Sequence, residues 1–187
     1  MSTTRDILTA SFFELFDVPV SYDVDLTKVQ QCYQLLQSQL HPDKFASAEA
    51  TQKRLSMQMT SRINEALQTL TDPVLRAAYL LELKGVDINL DNETTVDAEF
   101  LMQQLELRES LETIKHNQDG EEALDKLDEL SQQVKRQVKK TMQHFSAAYS
   151  KVQLDTAREW LRKLQFLQKA EKEIDVLSAQ IEDDLMV

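Results

Sequence analysis

Apolar residues mark this chain at helical intervals from one end to the other. Leu26, Val29, Tyr33, Leu36 and Leu40 fall at three- and four-residue spacings, the stripe of a helix with one buried face. Leu55, Met59, Ile63, Ala66, Leu67 and Leu70 repeat the pattern after a short break. In the break stands His41-Pro42-Asp43-Lys44-Phe45. Pro42 has no amide hydrogen and disfavours helical geometry at His41, so the first of the two helices stops there. The pair then forms an antiparallel hairpin with His, Asp and Lys at its tip. A solvated tip needs polar side chains, but it does not need this trio.

Seven helices follow from such spacings. Ser11-Phe12-Phe13-Glu14 fits a capping box and starts a first helix of about a turn and a half, ending before Pro19. Asp25 or Thr27 caps the second, which runs to Leu40, and the third covers roughly Ala46 to Leu70. Asp72-Pro73 supplies an N-cap and a proline at the first helical position, where its missing donor costs little. That fourth helix runs from Pro73 to Lys84 and is stopped by Gly85. Residues 86–95 show no helical period and are expected to be a linker. A fifth helix from about Asp97 to Lys115, a sixth from about Glu121 to Val152 and a seventh from about Thr156 to Asp183 complete the chain. Leu124, Leu127, Val134, Val138, Met142, Phe145, Tyr149 and Val152 fall close to a three–four heptad alternation. Trp160, Leu164, Leu167, Ala170, Ile174, Leu177 and Ile181 do the same. Facing stripes joined by a short turn imply an antiparallel three-helix bundle. The expected class is all-α: a helical hairpin domain over residues 1–85, the linker, and the bundle over 96–187.

Composition supports that class and removes others. Gly (2) and Pro (3) are scarce while helix formers abound. One cysteine rules out an intrachain disulfide and a multi-cysteine metal site, and Cys32, on the apolar stripe, is expected to be a small buried hydrophobe. No apolar run approaches the roughly 20 residues that cross a bilayer. The N-terminus has no charged-then-apolar signal pattern, so a soluble cytoplasmic protein is expected, with no membrane partner. At a net charge of -11, nucleic acid is not expected either. The one dense basic cluster, Lys135-Arg136 with Lys139-Lys140, is read as a solvated helix face. His41, His116 and His144 have no helical-spacing partner for a metal, and two glycines cannot build a phosphate loop. An intrinsic enzyme is not expected.

Helix, His-Pro-Asp, helix resembles the J domain, the co-chaperone module of the DnaJ class. Both flanks agree: Phe12-Phe13-Glu14-Leu15-Phe16-Asp17-Val18 looks like its short first helix and exit turn. Ile63-Asn64-Glu65-Ala66 with Leu70, Asp72 and Pro73 looks like the end of its third helix. The resemblance implies that His41, Pro42, Asp43 and Lys44, with Lys28, contact a DnaK-type ATPase chaperone and bias it toward ATP hydrolysis. The alternative is a turn in which His and Asp merely cap the neighbouring helices. One departure weakens steering by charge: Gln31, Cys32, Gln34, Gln37, Ser38 and Gln39 lead into the tip where J domains usually carry Arg or Lys. Lys44, Lys53, Arg54 and Arg62 are candidates to compensate.

The fifth helix has two apolar stripes where a helix at a bundle's edge needs one. At 100° per residue, Phe100, Leu107, Leu111 and Ile114 lie on one side, and Leu101, Met102, Leu105, Glu106 and Glu109 on roughly the other. The second stripe either packs against another part of the chain or forms an exposed patch for a partner. The run from Phe100 to Glu109 is very similar to a segment of the HscB co-chaperones of iron–sulphur cluster assembly. Arg162-Lys163-Leu164-Gln165-Phe166-Leu167 and Arg76-Ala77-Ala78-Tyr79-Leu80-Leu81 also resemble that family. This resemblance implies that Leu101, Met102, Leu105, Glu106, Glu109 and Phe166 bind an IscU-like cluster scaffold, which is delivered to an HscA-like chaperone. Phe166 lies about 80° off its own stripe and is expected to reach the surface, so that its removal with Leu105 should leave folding intact. No cofactor, metal or zinc is implied. A generic DnaJ-type co-chaperone would usually bring a Gly/Phe-rich linker or zinc-binding cysteines, which are absent. A helical adaptor would bury the second stripe.

Overall fold

All regular structure among the described residues of the computed structural model (4–41, 44, 48–90, 97–117 and 119–186) is helical. The helices are α1 Thr4–Thr9, α2 Phe12–Leu15, α3 Leu26–Leu40, α4 Ala50–Thr71, α5 Pro73–Glu82, α6 Ala98–Lys115, α7 Gly120–Ser150 and α8 Leu154–Leu185. The chain divides into two compact units, Met1–Gly85 and Val86–Val187.

In the first unit the predicted capping box forms. The Glu14 amide donates to Ser11 Oγ at 3.3 Å and the Ser11 amide to Glu14 Oε2 at 2.7 Å. Those bonds from Ser11 hold the Glu14 carboxyl below its usual range. So anchored, α2 turns Phe12, Phe13 and Phe16 inward. Tyr79 of α5 stacks on Phe12 and Phe13, with centroids 4.5 and 5.8 Å apart, and its hydroxyl accepts the Phe12 amide at 3.0 Å. Asp25 rather than Thr27 caps α3, accepting from the Thr27 and Lys28 amides. The hairpin of α3 and α4 closes over Val29, Leu40, Met59 and Ile63. Leu26, expected in the stripe, is 43% exposed because it is the first residue of α3 and lies beyond the packed length. Cys32 is half-buried rather than enclosed.

The short α1 had no counterpart in the seven-helix expectation. Six residues are too few for a stable isolated helix. It is held by docking Ile7 against Leu40, Met59 and Ile63, a contact invisible in local spacing. Helix α4 starts at Ala50, later than the expected Ala46, which lies outside the described residues. Asp72 caps α5 as expected, but the helix ends at Glu82, two residues before the expected Lys84, and Gly85 takes its left-handed φ of 78° at the end of the turn that follows. Within α5, Arg76 is buried, and its guanidinium donates to the Leu70 carbonyl at 2.8 Å and lies over the Tyr22 ring. The Arg-Ala-Ala-Tyr-Leu-Leu motif is thus a set of packing contacts that locks α5 to the end of α4.

In the second unit α7 and α8 run antiparallel along most of their length, and α6 packs against both. Their shared core holds Leu111 and Ile114 from α6, Leu127 and Val134 from α7, and Leu167 and Ile174 from α8. Helix α7 ends at Ser150, two residues before the expected boundary. Val152 is not part of its stripe: it takes a φ of 57° in the turn and is 65% exposed. Leu90, in the expected linker, is tied to α8, its carbonyl accepting from Gln165 Nε2. Lys135, Arg136, Lys139 and Lys140 are all exposed. No described helix is long and apolar enough to cross a membrane.

Candidate functional site

Two surfaces hold the residues singled out by the sequence. The first is the hairpin tip. His41 caps α3 with φ -54° and ψ 133°, the extended geometry that a following proline demands. The Lys44 amide donates to the His41 carbonyl at 3.0 Å and closes the turn between the helices. His41 and Lys44 are exposed; Pro42, Asp43 and Phe45 lie outside the described residues.

The structure does not bring Lys28 to this tip. It stands thirteen residues before His41, roughly 20 Å along the helix at 1.5 Å per residue. Its ammonium is already engaged, donating to the Asp17 carboxylate at 3.1 Å and to the Asp17 carbonyl. It therefore fastens α3 to the exit turn of α2, where Asp17 takes a left-handed φ of 51°. Arg62 is engaged too, with its guanidinium 4.3 Å from the Phe12 ring centre and 3.3 Å from Glu65. Of the four cations expected to compensate for the neutral α3 face, Lys44, Lys53 and Arg54 remain exposed.

The second surface is the outward side of α6. Leu101, Met102 and Leu105 are 46%, 62% and 55% exposed, and Glu106 and Glu109 lie beside them in solvent. On the other side Phe100, Leu111 and Ile114 are buried. The two stripes are therefore real, and the rest of the second unit leaves the outer one uncovered. Along one edge, between α6 and α8, runs a groove of about 430 Å3 lined by Leu101, Leu105, Leu111, Phe166 and Ala170. Glu106 and Glu109 line a separate groove toward α7.

Phe166 reaches the surface in part, as a wall of the groove between α6 and α8. It is half-buried, and its ring meets Phe100 edge-on at 5.5 Å, packed on the bundle core. The 80° offset turns it toward α6, where one part of the ring packs and another lines the groove. It is a wall of the groove and a support of α6 at once, so removing it will disturb packing as well as any partner contact.

Residues that position the face were not singled out by sequence. Asp97 caps α6 by accepting the Phe100 amide at 3.1 Å, and its other oxygen accepts from the Lys163 ammonium of α8. Lys163 also lies 5.2 Å from the Phe100 ring centre and 4.7 Å from that of Trp160. The Lys163 bond, then the Phe100 amide, hold the Asp97 carboxyl below the usual carboxylate range. An aspartate before a helix signals the cap, but nothing local signals a lysine 66 residues away. His144, expected at the surface, is exposed and stacks on Trp160 at 4.4 Å. Among the described residues no group of three or more His, Cys, Asp or Glu is placed to hold a metal ion.

Known proteins resemble this chain in sequence and in architecture. Residues 96–175 match the family model described as the HSCB C-terminal oligomerisation domain. The co-chaperone protein HscB homolog of Shewanella halifaxensis is 41% identical over 175 residues, which are 94% of this chain and 98% of that protein. Chaperone HscB from Vibrio cholerae superposes with a TM-score of 0.81 at 31% identity, covering 91% of this chain and 99% of its own. Human co-chaperone protein HscB gives the same TM-score and identity, covering 90% of this chain and 82% of its own. With identity above 30% across nearly the whole length of both partners, the chain belongs to the HscB family of co-chaperones.

Proposed function

We propose that this co-chaperone stimulates ATP hydrolysis by a specialised, HscA-like DnaK-type chaperone and delivers to it an IscU-like iron–sulphur cluster scaffold. Residues 1–85 act as the J domain with its connecting helix, and residues 96–187 bind the scaffold. His41, Pro42, Asp43 and Lys44 at the tip engage the chaperone. Leu101, Met102, Leu105, Glu106 and Glu109 receive the scaffold, with Phe166 shaping the groove beside them. Lys28, on the same helix and paired in solvent with Asp17, adds a basic contact to the chaperone away from the tip. The protein supplies no reacting group. It links two binding events, each of which must favour one state of the chaperone over another.

One observation carries the reading: an uncovered apolar stripe on α6, fringed with carboxylates, in a chain that also presents a His-Pro-Asp turn. An adaptor with no folded client would gain nothing from holding Leu101, Met102 and Leu105 in water, at a cost of about 25 cal/mol per Å2 of apolar surface. The test is steady-state ATP hydrolysis by an HscA-like chaperone, with and without the scaffold, using the native chain and His41→Gln. Stimulation that needs His41 and grows when scaffold is added is the expected result. Equal stimulation by both chains, or none, would reduce the protein to a helical adaptor.

A further inference from the structure

The groove between α6 and α8 has a polarity that the apolar stripe alone does not require. Arg108 lines it from α6 and Lys169 from α8, so two cations flank one apolar channel in a chain whose net charge is -11. Both are exposed, and the carboxylate of Glu173 stands one turn beyond Lys169 on the same wall. Across the ridge of Leu101, Leu105 and Met102, the opposite margin carries Glu106 and Glu109. The outward face of α6 thus reads negative, apolar, positive in the direction from α7 to α8.

From this we infer that Arg108 and Lys169 form a carboxylate-reading rim that fixes the orientation of the docked scaffold. The inference rests on the function proposed above and adds to it the specificity element. The occupant is a segment of the scaffold with an acidic side chain next to the apolar one that enters the groove. A carboxylate placed between the two walls gains charge-assisted hydrogen bonds, with the guanidinium offering a planar fork that matches it. A partner turned end for end would set its acid against Glu106 and Glu109 and its bases against the rim. Repulsion of that kind is how specificity against a wrong orientation is built.

The experiment is calorimetric titration of the metal-free IscU-like scaffold into the native chain, Arg108→Glu/Lys169→Glu, Glu173→Gln and Leu105→Ala, at low and at high salt. The double reversal is expected to weaken binding roughly tenfold at low salt and clearly less at high salt, because exposed charges are screened beyond the Debye length. Glu173→Gln should bind slightly tighter, since it removes the carboxylate that competes for Lys169. Leu105→Ala should weaken binding equally at both salt levels. Native-like binding by the double reversal, alongside weakened Leu105→Ala, overturns the rim and leaves the scaffold site standing. Native-like binding by Leu105→Ala overturns the scaffold site, and the rim with it. Circular dichroism of each variant confirms that these exposed substitutions leave the helices intact.

Discussion

The hairpin tip and the α6 face present opposite kinds of surface. Among the described residues of the tip, an extended His41, a closing bond from the Lys44 amide and two exposed side chains are what a turn between helices would have anyway. The identity of the tip's residues is what sets it apart from an ordinary loop. The α6 face breaks a physical rule instead, because three large apolar side chains are held in solvent on one 18-residue helix. A motif announces one surface and an anomaly announces the other. The first is a contact that needs particular atoms, and the second is one that needs area.

That difference predicts separable functions, and the largest effects should show it. His41→Gln should abolish stimulation of the chaperone while leaving scaffold affinity at the native value. Met102→Ala/Leu105→Ala should lose about 2 kcal/mol or more of scaffold binding, roughly thirtyfold in Kd, while keeping the stimulation seen without scaffold. Neither should move the thermal midpoint, since His41, Met102 and Leu105 are all exposed. Titration calorimetry and ATPase assays on the same preparations check both halves. A variant that impairs both readouts would break the separation.

Phe166 sharpens the comparison because it belongs to neither kind of surface alone. With its ring edge-on to Phe100, Phe166→Ala should destabilise the bundle by about 2 kcal/mol, below the 3–5 expected for a fully enclosed aromatic. Scaffold affinity should fall as well, because α6 loses its support next to the groove. Urea unfolding of Phe166→Ala against Leu105→Ala measures this. Equal midpoints would mean that Phe166 contributes only to the partner surface, as the helical wheel suggested.

How far the sequence was legible follows the same line. The stripes on α3, α4, α7 and α8, the capping box at Ser11 and the Asp72-Pro73 start are local codes, and the structure contains them where spacing put them, apart from Leu26 and Val152 at the stripe ends. The two stripes of α6 were equally legible, but which of them faced solvent was not, since periodicity gives faces and not neighbours. Helix α1, the link from Lys163 to Asp97 and the capture of Lys28 by Asp17 all depend on residues brought together by the fold. Spacing along one helix signals none of them. Phe166 was only half legible for a related reason: an angle from the stripe says that a side chain leaves its own helix's core, but not that another helix packs against part of it.

The smallest effect separates the two units by pH. Tyr22 is buried in the first, with its hydroxyl donating to the Pro73 carbonyl at 3.3 Å. Burial pushes its pKa from 10.0 up to about 12, against the pull of Arg76 beside it. The folded state then keeps a proton that the unfolded chain releases. Stability from this group is complete below about pH 10 and is lost as pH rises toward about 12, by at most about 1.4 kcal/mol per pH unit. Tyr22→Phe should be slightly less stable than the native chain at neutral pH, for want of one hydrogen bond worth about 1 kcal/mol. Between pH 10 and 12 that deficit should close and then reverse. The sole tryptophan, Trp160, lies in the second unit, so its fluorescence follows the bundle while far-UV circular dichroism follows both units. A crossover seen by dichroism and absent from the fluorescence would show that the J domain responds to alkali on its own. The same crossover in both signals would mean that the units unfold as one, and that a lock inside the J domain also governs the bundle that presents the α6 face.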